Sequence, residues 1–329
     1  MRTAAAWLLV GALLVAPRAE AEAIKIGLLP VSGSGPTFIA QDKGYFAAEG
    51  LEVELVPFDA GQPVAVATVS GDIDVGNAGV TSALYTFAGQ GALRILAGFA
   101  QDRPGFHADG ILASNAAYQS GLTSLKQWSG HSVALTTIGS TFHYAVALLA
   151  EKYGVDTKAL RPLPLQSLAN VAASITGGQA DTGLLTGNIA TPLLERGGGK
   201  LLTWVGDEVN WQVAALWVTT KTANERRDLV ERVLKALRRG AHDYAEAFIG
   251  PDGRPKEGPT TPAILAIMAK HMHQTPEQVK LSLSYIDADL RLDVADIRRQ
   301  IAWFRSQGML KEDVDADQAI DRRYAATER

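Results

Sequence analysis

The sequence contains no cysteine. A disulfide framework, a thiolate metal site, a cysteine nucleophile and a lipid-modified N-terminal cysteine are all excluded by that absence. Basic blocks are missing too: 31 Lys and Arg stand against 35 Asp and Glu, which leaves no footprint for nucleic acid. Beyond the first residues every long apolar stretch is interrupted by Gly or a charge, so no further candidate membrane span is present. The six histidines lack metal-ligand spacing, His271 and His273 being a weak pair at a helix end. Ser32-Gly33-Ser34-Gly35-Pro36 lacks the lysine of a phosphate loop, and Asp72 and Asp74 alternate along an expected strand, so they do not share a face for acid–base work. No metal, cofactor or catalytic residue is expected. The expected partner is a small molecule or another protein.

What is present begins with a leader. Residues 1–23 read MRTAAAWLLVGALLVAPRAEAEA: an early Arg2, an apolar run from Ala4 to Ala16, and small residues at Ala19-Glu20-Ala21 or Ala21-Glu22-Ala23 where a peptidase cuts. The run is short for a bilayer span and ends at Pro17-Arg18, which predicts a secretory signal peptide. An exported chain without cysteine is expected in the bacterial periplasm.

The mature chain has room for two domains, and it repeats a phrase. GDIDVGNAG at 71–79 and GGQADTGLLTG at 177–187 share Gly71, Asp74 and Gly76 with Gly178, Asp181 and Gly183, 107 positions on (71 to 178). The same offset carries Ile26 to Val133 and Leu28 to Leu135. Each half reads strand, Gly-rich turn, helix, strand, helix, strand, which predicts an α/β fold with parallel sheets covered by helices. The expected division is a first lobe over 24–108, a second over 109–213, and a second crossover with C-terminal helices over 214–329. Two apolar runs, 110–114 and 214–218, are expected to pair as crossover strands and form a hinge that closes a cleft. Leu229, Val233, Leu237 and Tyr244 mark one later helix, Thr275-Pro276-Glu277-Gln278 starts another, and Asp293 caps a third that stops at Gly308.

In open parallel sheets ligands lie beyond the carboxyl ends of the strands. Loops 31–37, 77–81, 138–143 and 186–191, two from each half, occupy that position and are rich in Gly, Ser, Thr and Asn. Helix starts carry unpaired N–H groups and the positive dipole end, so Gly139-Ser140-Thr141 and Gly79-Val80-Thr81 suit an anion, a sulfonate or a carboxylate. Capping of their own helices is the alternative role. His143 either donates to that anion or is an ordinary histidine; Trp211, with Gln212, either covers an apolar ligand body at the cleft mouth or packs in the core. Phe38 and Phe142 follow site loops and read as core first, with ligand contact as the second role.

Three stretches carry a family resemblance: AQDKGYFAAEGLEVELV, SGDIDVGNAG and SLKQWSGHSVALTTIGST. From about Ile24 to Asp207 the chain is similar to solute-binding proteins of ABC importers for nitrate, taurine and aliphatic sulfonates, within a wider group that includes thiamine-pyrimidine binders. The resemblance implies a type II periplasmic binding protein fold, with two similar α/β lobes joined by a two-strand hinge. It further implies a monomer that delivers a small organic anion, an aromatic acid included, to a membrane permease with a cytoplasmic ATPase. By position, Ser32, Gly33, Gln62, Asn77, Ala78, Gly79, Ser140, Thr141, Thr186, Gly187 and Asn188 match the family's cleft loops. None of these loops contains Arg, so backbone donors would hold the anion. Two alternatives stay open: an enzyme on the same scaffold, with His143 as its base, and a binder of a thiamine pyrimidine precursor.

Overall fold

A computed structural model describes residues 21–310 and 313–327, and nearly all of the expected leader lies outside them. The first sheet begins with β1 (Glu22–Leu28), β2 (Leu51–Pro57), β3 (Val75–Gly79) and β4 (Leu93–Gly98). A two-residue strand, β5 (Gln101–Asp102), leads out to β6 (Asp109–Ala113), β7 (Ser132–Leu135), β8 (Arg161–Pro164), β9 (Thr182–Thr186) and β10 (Lys200–Trp204) of the second sheet. Strand β11 (Trp211–Gln212) leads back to β12 (Ala214–Thr219). The strand orders are β2-β1-β3-β12-β4 and β10-β6-β9-β7-β8. In both sheets the first three strands of the repeat run parallel, and the arriving crossover strand, β12 or β6, lies antiparallel to the third. This is the two-lobed α/β architecture that the repeat predicted.

Covered faces explain the composition of the strands. All of β6 and β7 is buried, as are Ala214 to Val218, because helices pack on both sides of each sheet. The 107-position repeat is physical as well as textual. Asp74 Oδ2 accepts the backbone N–H of Lys25 at 2.8 Å, and Asp181 Oδ2 accepts that of Ser132 at 2.8 Å, so each aspartate ties the start of its third strand to the first. Gly71 and Gly178 both end the preceding segment at positive φ, +83° and +71°, a left-handed conformation that glycine adopts without penalty. At Gly76 an added Cβ would come within 2.2 Å of the Trp217 indole, so the strand admits no side chain there.

The runs at 110–114 and 214–218 do not pair with each other. The first joins β9 and β10, the second joins β3 and β4, and the pairing between the outgoing and returning chain is instead the short β5–β11 ladder, Asp102 opposite Trp211 and Gln101 opposite Gln212. The crossover strands are too apolar to stay outside a sheet, and each is taken into the interior of one, β6 between β10 and β9 and β12 between β3 and β4. Behind this hinge the helix Val294–Ser306, capped by Asp293 as expected, touches everything that a hinge joins. Its Asp296 accepts from Gln212 N and from the Tyr144 hydroxyl in the second lobe, and its Gln300 accepts from the Tyr85 hydroxyl in the first. The long helix Arg227–Phe248 packs on the first lobe, where Gly240 lies so close to Pro36 that a Cβ would meet the Pro36 carbonyl oxygen at 2.2 Å. No described helix is long and apolar enough to cross a membrane.

Candidate ligand-binding cleft

The carboxyl ends of β1, β3, β7 and β9 face one another across the gap between the sheets. Their loops line a single cavity of about 100 Å³. Ser32 and Gly33 come from the first loop, Asn77, Ala78 and Gly79 from the second, Ser140 and Thr141 from the third, and Thr186 and Asn188 from the fourth. A cavity of that size is comparable to those that hold one benzene ring, so small cargo fits with the lobes closed.

The lobes are closed, and the contacts that close them are direct. Ser82 N donates to Gly139 O at 2.9 Å, the Thr141 hydroxyl donates to Val80 O at 3.2 Å, and Gln62 Nε2 donates to Ile138 O at 3.3 Å. Gly139 holds φ +76° with no room for a side chain, since a Cβ would stand 2.2 Å from Ser82 Oγ.

This latch changes which helix starts are free for an anion. Thr81 caps its helix by accepting from Leu84 N, Ser140 does so from His143 N, and Val80 N is bonded to Val213 O. The amides around Gly79-Val80-Thr81 and Gly139-Ser140-Thr141 are therefore partly used by capping and by the latch, which corrects the expectation that both receive an anion. The helices beginning at Gly35, Gly61 and Gly187 have no side-chain cap, and Ser34, Ala60, Gly61 and Thr186 at their starts line the cavity. A helix start without a cap leaves first-turn N–H groups and the dipole available to an acid group.

Several expected site residues lie off the cavity wall. Phe38 is buried and stacks on His271 with ring centroids 4.8 Å apart, so it is core. Gln62 and Gly139 serve the latch. Gly187 is pressed between its neighbours, its Cβ position 2.1 Å from His107 O. Trp211 is buried in the hinge, where Nε1 donates to Asp102 Oδ2 at 2.8 Å. His143 turns away from the cleft: its Nδ1 accepts from Gly139 N at 3.2 Å, its ring meets Trp303 edge-on at 5.1 Å, and burial pushes its pKa down to about 4. The imidazole is thus neutral at physiological pH and stands off the cavity wall. Phe142, expected mainly in the core, does line the cavity.

Other cleft residues had no signal in the sequence reading. Ser284 reaches the wall from the C-terminal third, its hydroxyl 3.1 Å from that of Ser32. More consequential is Asp109. It lines the cavity at 3% exposure, opposite Thr186 in the β6–β9 ladder, and no donor among the described residues bonds its carboxyl. Burial, with Asp102 nearby, pushes its pKa well above the usual carboxylate range. Asp59 is the other charged residue on the wall and is exposed at the rim; Lys, Arg and His are absent from it. An acid standing directly before five wholly buried positions was the available clue to Asp109.

Comparison with known proteins agrees with this geometry. A family model described as NMT1/THI5 like matches residues 32–247. The taurine-binding periplasmic protein of Escherichia coli (strain K12) is 26% identical over 243 residues, 71% of this chain and 69% of that protein. Among solved structures, the alkanesulfonate-binding protein SsuA from Xanthomonas axonopodis pv. citri, bound to MOPS, matches with a TM-score of 0.72 at 21% identity, over 92% of this chain and 99% of that one. The periplasmic nitrate-binding protein NrtA from Synechocystis PCC 6803 matches with 0.71 at 14%, over 93% and 87%. The desulfurization enzyme DSZB matches with 0.60 at 14%, over 93% and 97%. At these identities the structures establish the fold alone, a scaffold shared by binding proteins and at least one enzyme.

Proposed function

The chain belongs to the NMT1/THI5-like family, and from that premise we propose that it is the periplasmic substrate-binding component of an ABC importer. It captures a small organic acid, a sulfonate or a carboxylate, between its lobes and presents the closed form to a membrane permease with a cytoplasmic ATPase. One observation carries the reading: uncapped helix starts from both lobes open on the same cavity, and the lobes touch around it. A ligand held by both lobes gains both sets of contacts only when the hinge is shut, so binding and closure are one equilibrium. Micromolar capture corresponds to roughly −8 kcal/mol, within reach of a few charge-assisted hydrogen bonds after ordering costs.

The cavity's size favours a compact acid over a large aromatic one. The position of His143 outside the wall supports binding over turnover, because the enzymatic alternative drew its base from that residue. The test is calorimetry and thermal shift of the mature protein against sulfonates, carboxylates, nitrate and pyrimidines, with solution scattering of the best binder. Binding is expected to raise the melting temperature and to contract the radius of gyration of an open, unliganded protein. Recovery of a chemically altered ligand would replace this reading with the enzymatic one.

A further inference from the structure

Resting on that reading of the cleft, we infer that Asp109 is the counter-charge for a cationic nitrogen on the ligand. The cargo is amphoteric: its acid group sits on the uncapped helix starts and its protonated amine sits against Asp109 and Thr186.

The cavity wall supplies the argument. Its ionisable residues are Asp59 and Asp109 only, so an acid entering it meets no compensating base. Asp109 is all but fully buried, and nothing in the described chain donates to it. A buried carboxyl without a donor is held uncharged, and an ammonium group brought against it favours the ionised form. Thr186 is unsatisfied in the same place: its hydroxyl oxygen is buried without a hydrogen-bond partner among the described residues. The two face each other across the β6–β9 ladder, so one N–H-bearing cation can donate to the carboxylate and to the hydroxyl oxygen together. Asp102, buried nearby on the hinge strand, adds negative potential in the same direction. The Asn77 amide, whose Nδ2 donates to Thr37 Oγ1 at 2.8 Å, turns its other end free of that bond and leaves an acceptor oxygen. Acceptors therefore gather near β6, β9 and β3, while donors gather at the uncapped helix start at Gly61. That polarity fits a molecule with opposite charges at its two ends.

The experiment compares matched pairs that differ in one amine: 2-aminoethanesulfonate with ethanesulfonate, 3-aminopropanesulfonate with propanesulfonate, and β-alanine with propionate, by calorimetry at neutral pH. In at least one pair the amine-bearing member is expected to bind at least about tenfold tighter, as a charge-assisted hydrogen bond provides. Asp109→Asn is expected to reduce that preference to within about threefold, chiefly by weakening the amine-bearing member. It should also raise the melting temperature of the empty protein, which doubles as the check that the variant folds. Thr186→Val should weaken the amine-bearing member more than its amine-free partner. Amine-free acids binding as tightly as their partners, or a preference that survives Asp109→Asn, would overturn the inference and leave the organic-acid reading standing. Failure of every compound in the panel to bind would overturn both.

Discussion

The Trp211 indole donates to Asp102 Oδ2 at 2.8 Å across the two-residue ladder that forms the hinge. Asp102 is fully buried, and its Oδ1 has no partner among the described residues. Burial raises its pKa to about 7; the indole opposes the rise and Asp207 adds to it. A folded-state value above that of an unfolded aspartate means that the group's contribution is fully present below about pH 4 and is lost as pH rises through 7. Asp102→Asn retains an oxygen for Trp211 and removes the charge. The variant is expected to match the wild type near pH 4 and to exceed it at pH 8 by on the order of 4 kcal/mol. Urea unfolding at the two pH values measures the difference, and a gap independent of pH would show that Asp102 is not the group responsible.

Closure can be attacked without touching the cavity. Gly139→Ala places a methyl 2.2 Å from Ser82 Oγ and forces a left-handed backbone on alanine, which costs roughly 1–2 kcal/mol. Ligand affinity is expected to fall by about tenfold or more while both lobes stay folded. Adding Ser82→Gly should restore the steric part of that loss in a double-mutant cycle. No recovery in the double variant would place the defect in the loop's backbone rather than in the latch.

The repeated aspartates offer a paired stability test. Asp74→Ala and Asp181→Ala each remove the acceptor of a first-strand N–H, at an expected cost of about 1–3 kcal/mol. Asp181 should cost more, because it also accepts from the Ser132 hydroxyl and pairs with His131 and Arg161. Burial works against its ionisation, yet the bonds from Ser132 outweigh that and lower its pKa. Its contribution is therefore held at neutral pH and lost as pH falls through the lowered value. Equal, negligible costs in chemical denaturation would make the shared phrase an accident of composition.

Glu22 bears on where the expected leader would be cut. It is already part of β1, opposite Leu51, and both Arg226 and Arg232 pair with its carboxylate, whose pKa their hydrogen bonds lower. Cleavage after Ala23 would discard these contacts; cleavage after Ala21 keeps them. If the expected leader is removed, the mature protein is expected to begin at Glu22, and the intact mass of secreted material decides between the two sites.

The fold was legible because it is written in short-range patterns. Strand runs of buried residues, glycine where the chain turns left-handed, and caps such as Ser140, Thr275 and Asp293 each act within a few positions, and the 107-position echo shows that they were laid down twice. The positions of the four cleft loops followed from topology for the same reason.

The identity of the wall did not follow, since it depends on pairs far apart in the chain. Ser32 meets Ser284, Asp109 faces Thr186, and Asp102 meets Trp211, none of which any local pattern could bring together. The sequence singled out the helix starts at 81 and 140 for an anion rather than those at 61 and 187. They differ because the first pair is capped by its own side chains and drawn into the latch, whereas the second pair has no side-chain cap. Local sequence determined that there would be two lobes with open helix ends between them. Which ends stay free, and that an acidic residue waits beside them, was decided by tertiary contact, because a hydrogen-bonding group is free or occupied only in relation to what folding sets against it.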